Sequence, residues 1–247
     1  MSIKYVVGSG CSFTRGSIDH ENPRRLTYRK EAENYSNYSY VKLVAEKLNV
    51  PYWNYALGGV GNNFSIRSLY RHVEDNPDTI KDTLFILGLS FNDRYDFIHP
   101  NEKSNPLQHE GLNVYKADPS KKMMIPKWYS MDNSDYRQIA SKMIGSSEEE
   151  AENLGKLFYT YIHNPSTFKI EALMKIDMVK NYFENKGLKL IIANLIERMY
   201  YVPNSFVWPS NYTCWRNYIE SYDPNYKGEH PNSYDHEHFA DLIYESL

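Results

Sequence analysis

Thr83-Leu-Phe-Ile-Leu-Gly-Leu89 is seven residues long and apolar almost throughout. A run this short, with no polar alternation, reads as a strand covered on both faces, the pattern of a parallel sheet between helices. Similar runs stand on either side of it. Ile3–Val7 predicts a strand ended by Gly8, Tyr52–Leu57 one closed by Gly58-Gly59-Val60-Gly61, and Leu188–Leu195 a further buried strand. Helical spacing falls between them. Tyr40–Leu48 carries apolar residues at helical intervals, and Asn62 or Asn63 is placed to cap a helix running to about Val73. Phe168, Ile170, Leu173, Ile176, Val179 and Phe183 form a stripe ending at Gly187 as C′, and Pro231–Leu247 reads as a last helix with proline near N1. Acidic residues after Ser147 predict one more helix, to about Ile162. The expected fold is α/β: doubly wound (flavodoxin-like), three-layer α/β/α, with a central parallel sheet. Residues 94–146 break the rhythm with Asn, Asp, Lys, Pro and Met, and read as a cap inserted in a single domain spanning 1–247.

Composition narrows the function classes. The 28 Lys+Arg against 31 Asp+Glu give −3, which argues against a broad basic face and so against a nucleic-acid partner. Two cysteines, Cys11 and Cys214, build neither a disulfide scaffold nor a four-cysteine zinc site. A first segment without a signal-type apolar stretch, and no run of about 18 apolar residues, lead to the expectation of a soluble cytoplasmic protein with no membrane partner. The 23 tyrosines suit either loop and core-edge packing or rings that stack on sugars. His236 and His238 flank Glu237 in the last helix, but i and i+2 point to different sides, so a solvated helix face is expected rather than a metal site. Gly8-x-Gly10 has Phe13 at the third position of a dinucleotide fingerprint, and no Gly-Lys-Ser/Thr phosphate loop occurs. No cofactor is expected.

Sites in such sheets lie beyond the carboxyl ends of the strands. There the sequence places Gly10-Cys11-Ser12-Phe13-Thr14, then Asn54 through Gly59 to Asn62, then Gly88-Leu89-Ser90-Phe91-Asn92-Asp93, and finally Glu229-His230-Pro231-Asn232. A serine hydroxyl becomes a nucleophile only when a base takes its proton. The oxyanion it generates needs preset donors, such as a glycine N–H and an asparagine amide. Ser12, His230, Gly59 and Asn92 supply those parts.

These four blocks, in this order, resemble the SGNH (GDSL-type) hydrolases, with Cys11 where that family usually has aspartate. Gly-Cys-Ser-Phe-Thr is also similar to a variant met among tailed-phage proteins. The resemblance covers most of the chain outside 94–146 and 196–228. It implies an SGNH-hydrolase-like fold, with Ser12 as nucleophile, His230 as base, and Gly59 and Asn92 in the oxyanion hole. The implied activity is that of a serine esterase or acetylesterase on a small-molecule or carbohydrate ester, such as an O-acetyl group. The third block departs in spacing, which leaves Ser90 as an alternative to Asn92. The acid that the family carries three residues before its histidine is replaced by Lys227. Glu229, Asp223, the pair Asp235-x-x-His238, or a backbone carbonyl remain as ways to orient the imidazole. Acyl transfer uses the same residues. The alternative from another class is a non-catalytic module with a glycan-binding or phage structural role, virion-associated if phage-encoded.

Overall fold

In the computed structural model the described residues are 2–16, 38–56, 61–90, 95–98, 115–116, 128–131, 161, 164–196, 206, 208–209, 212–224, 226 and 230–247. Four strands form the parallel body of the sheet: β1 (Tyr5–Ser9), β2 (Tyr52–Asn54), β3 (Thr83–Leu89) and β7 (Lys189–Asn194), side by side in the order β2-β1-β3-β7. β5 (Tyr115–Lys116) adds an antiparallel edge against β2, while β4 (Tyr95–Ile98) and β6 (Trp128–Met131) pair antiparallel in a separate ribbon. The helices are α1 (Ser12–Arg15), α2 (Tyr40–Leu48), α3 (Asn62–Asp75), α4 (Pro165–Asn185), α5 (Trp215–Tyr222) and α6 (Ser233–Glu245).

Alternation along the strands feeds two cores, which is why the apolar runs are continuous. Val7, Phe85 and Leu87 pack on one face with Phe64, Leu69 and Val73 of α3 and with Ile176, Val179 and Phe183 of α4. Val6, Leu84 and Ile86 face the other way, into α2, α5 and α6. That second core is aromatic: the Phe239 ring lies 4.5 Å from Tyr40, 4.5 Å from Trp208 and 4.8 Å from Trp215. Helices on both faces of a parallel sheet make the fold α/β and three-layered, as the sequence pattern implies. The sheet order reverses about β1, so the crevice of this architecture opens where β1 and β3 end.

β3 and α2 have the bounds that periodicity gives. Others shift for identifiable reasons. β1 runs Tyr5–Ser9 rather than Ile3–Val7, because its ladder with β3 pairs Tyr5 with Thr83 and Ser9 with Leu87. β2 stops at Asn54, short of Leu57, where the asparagine side chain turns back to accept from the Ala56 N–H. The N-cap of α3 is Gly61, not Asn62 or Asn63. Pro231 lies outside α6, which starts at Ser233 behind an Asn232 cap. Tyr115–Lys116, within the 94–146 stretch, forms an edge strand, β5, that no periodicity announced. The helix expected at 147–162 lies outside the described residues, apart from 161.

Candidate active site

β1 delivers the chain to Gly10 and Cys11, and Cys11 is the N-cap of the single-turn helix α1, which Gly16 closes in the left-handed region at φ 91°. Ser12 is thus the first residue of α1, not its cap. Its neighbour Thr14 is wholly buried and fixes the turn. The Thr14 carbonyl accepts from Ser39 Oγ at 2.8 Å and from Asn54 Nδ2 at 3.0 Å, and Asn54 Nδ2 also reaches Ser39 Oγ at 2.8 Å. The Thr14 hydroxyl meets the Tyr40 hydroxyl at 2.8 Å, and burial pushes the Tyr40 phenol pKa upward. A Cβ on Gly10 or on Gly88 would collide with that threonine hydroxyl, so both glycines permit the close approach of α1 to the ends of β1 and β3.

The partner arrives from the far end of the chain. His230 Nε2 lies 2.9 Å from Ser12 Oγ across 218 residues of sequence. The Phe13 ring sits against the imidazole, centroids 5.5 Å apart. Ser12 and His230 are each half-buried, so the pair is anchored yet reachable from solvent. With Nε2 as acceptor, this is the distance at which an imidazole takes a hydroxyl proton.

Of the other residues singled out from sequence, Gly59 and Asn92 lie outside the described residues, as do Lys227 and Glu229. Ser90, the alternative donor, is buried at the end of β3. Its N–H donates to Asn62 Oδ1 at 2.7 Å and its carbonyl accepts from Asn62 Nδ2 at 3.3 Å. Asp235 does not pair with His238. Its Oδ1 accepts from the Tyr222 hydroxyl at 2.7 Å and its Oδ2 from the Asn232 N–H at 2.7 Å, while His238 Nε2 meets the Tyr218 hydroxyl at 2.7 Å. The expected solvated face holds for Glu237, which is exposed, but not for Asp235 and His236, which are buried because α6 turns their side onto the aromatic core. Desolvation raises the Asp235 pKa above its ordinary 3.8, against the lowering effect of the Tyr222 and Asn232 hydrogen bonds. Cys11 is buried and small, a packing residue in this position. Among the described residues no three His, Cys, Asp or Glu side chains gather as a metal would require.

Sequence reasoning did not anticipate the group Thr14, Ser39 and Tyr40 that holds α1. Tyr40 carried the signal, since a tyrosine on an apolar helix face needs a partner for its hydroxyl once buried.

Neither the family models nor the curated proteins contain a match to this chain. Among solved structures it is similar to a carbohydrate esterase whose active site "displays divergent catalytic and non-catalytic binding functions", with a TM-score of 0.38 and 15% identity. The alignment takes in 100% of this chain and 65% of that one, so the chain spans just under two thirds of its length. No described helix is long and apolar enough to cross a membrane.

Proposed function

We propose that the protein is a serine esterase, SGNH-like in its chemistry, acting on a small acyl ester such as an O-acetyl group on a carbohydrate. The single observation that carries this reading is the 2.9 Å contact of His230 Nε2 with Ser12 Oγ at the carboxyl end of the sheet. His230 takes the hydroxyl proton as Ser12 Oγ bonds to the acyl carbon. The carbonyl oxygen becomes the oxyanion of a tetrahedral intermediate. Backbone N–H groups at Ser12 and Gly59, with the Asn92 amide, are the proposed donors to it. Collapse breaks the bond to the alcohol oxygen, which leaves with the proton from His230. Water, deprotonated by the same imidazole, then attacks the acyl-serine, and a second collapse returns the proton to Ser12 and frees the acid.

The test is turnover of p-nitrophenyl acetate and of an acetylated oligosaccharide. Wild type should release acetate from both. Ser12→Ala and His230→Ala should retain the fold and lose about a thousandfold or more of the rate, the scale of removing a triad member.

A second reading, a glycan-binding or structural module, is favoured by one observation. Tyr212, Tyr218, Tyr222 and Tyr234 form a continuous ring surface with His238, in which Tyr234 is 62% exposed. Retention of acetylated oligosaccharide without turnover would favour it.

A further inference from the structure

Three residues before His230, where an imidazole-orienting acid would stand, the sequence has Lys227. An ammonium has donors only and cannot take that part. Among the described residues, a carboxylate meets the His230 segment from the other side of it. Asp235 accepts the Asn232 N–H on Oδ2, and Asn232 Oδ1 accepts the Asp235 N–H at 3.0 Å, a reciprocal capping box. Such a box asks only for an acid in the first turn, and a solvated one suffices. Here the acid is fully buried and fastened by its second oxygen to Tyr222 at the end of α5. Burying it costs desolvation, which the raised pKa of Asp235 reflects.

The connections on either side are stiff. α5 is tied to the sheet, with the Arg216 N–H donating to the Leu195 carbonyl at 3.0 Å and with Trp215 and Ile219 buried. Between Asn232 and His230 stands only Pro231, itself buried, whose ring fixes one of the few dihedrals through which the imidazole could drift. We propose that Tyr222 and Asp235 form a positioning brace, which holds His230 Nε2 opposite Ser12 Oγ through the Asn232 cap. The brace acts from the C-terminal side of His230, opposite to where the family's acid stands in the sequence. It rests on the reading of Ser12 and His230 as nucleophile and base.

The experiment follows the histidine ring carbon–proton signals of the full chain by NMR, with the His230 signal assigned by its loss in His230→Gln. Fluorophosphonate reaction rates and p-nitrophenyl acetate kinetics are measured on the same samples. Tyr222→Phe removes one oxygen, and Asp235→Asn removes the charge while keeping an acceptor for Asn232. Both should shift and broaden the His230 signal and leave that of His72, which hydrogen-bonds Tyr55 in the opposite core, in place. Both should slow the fluorophosphonate reaction and kcat by about tenfold to a hundredfold, the effect of a small misplacement of a reacting group, at a KM within about twofold of wild type. Ile243→Val, a core truncation in the same helix, should lower Tm without moving the His230 signal. If Asp235→Asn does not fold, Tyr222→Phe decides alone. A His230 signal unchanged in folded Tyr222→Phe overturns the brace. A His230 signal that responds in a protein inert to fluorophosphonate upholds the brace and removes the hydrolase reading instead.

Discussion

The Asn62 side chain pairs with both backbone polar groups of Ser90, taking its N–H at 2.7 Å and giving to its carbonyl at 3.3 Å. One amide thereby ties the head of α3 to the end of β3, just after the glycine run and just before Phe91-Asn92. Asn62→Ala would leave a buried N–H and a buried carbonyl without that partner. The expected cost is about 1–3 kcal/mol, read as a shift in the denaturant midpoint. Asn62→Asp keeps the acceptor but sets a buried carboxylate oxygen against the Ser90 carbonyl, and its midpoint at neutral pH should lie no higher than that of Asn62→Ala.

Thr14 is the keystone under Ser12. Thr14→Val keeps the side-chain shape but leaves the buried Tyr40 hydroxyl without its 2.8 Å partner, which should cost about 1–3 kcal/mol. Gly88→Ala attacks the same place by crowding, since its Cβ would come within 2.7 Å of Leu195 Cδ1 and 2.8 Å of the Tyr40 hydroxyl. Overpacking of this kind costs about 1–3 kcal/mol. Equilibrium unfolding of both variants checks the pair.

Phe239 supports the aromatic core in which Tyr40 also lies. Its ring is fully buried among Tyr40, Trp208 and Trp215, so Phe239→Ala should cost about 3–5 kcal/mol through lost burial and the cavity left behind. An unfolding midpoint within experimental scatter of wild type would contradict the two-faced packing.

Asp235 gives a pH signature with a definite sign. Its folded-state pKa is raised above 3.8, chiefly by burial. Between the unfolded and folded values the native state therefore binds more protons, and this contribution to stability falls as pH rises. The difference in Tm between wild type and Asp235→Asn should accordingly move in favour of wild type as pH drops from neutral toward 4. A difference that moves the opposite way would mean that the carboxylate is stabilised, not strained, by its surroundings.

The parts of the fold legible in the sequence are those set by local pattern. Thr83–Leu89 has strand bounds because every residue in it is buried and all but the first are apolar or glycine, and Tyr40–Leu48 has helix bounds because its buried positions recur at helical spacing. Where ends depend on a partner, the sequence is mute: the ladder with β3 carries β1 on through Gly8 and Ser9. The two-residue β5 has no period at all, and only its pairing with Trp53 and Asn54 makes it a strand. At the site, the serine and the histidine announce themselves by residue type and by place after a strand and before a helix. Their supports do not, because Thr14, Ser39 and Asn54 meet across 15 to 40 residues through backbone and side-chain oxygens. Asp235 is a related case among the alternatives left open for the acid. Its spacing to His238 suggested an acid–base pair, while the Asn232-x-x-Asp235 capping box, which begins two residues after His230, claimed the carboxylate.

The central claim is that Ser12 is activated by His230, and a fluorophosphonate tests it most directly. The reagent's phosphorus bonds to an activated serine oxygen as fluoride leaves, with no need to know the natural ester. Folded wild-type protein should be labelled once per chain, at Ser12 by peptide mapping, and labelling should vanish in Ser12→Ala and in His230→Ala. A folded wild type that takes no label, or a label that persists in Ser12→Ala, would contradict the account.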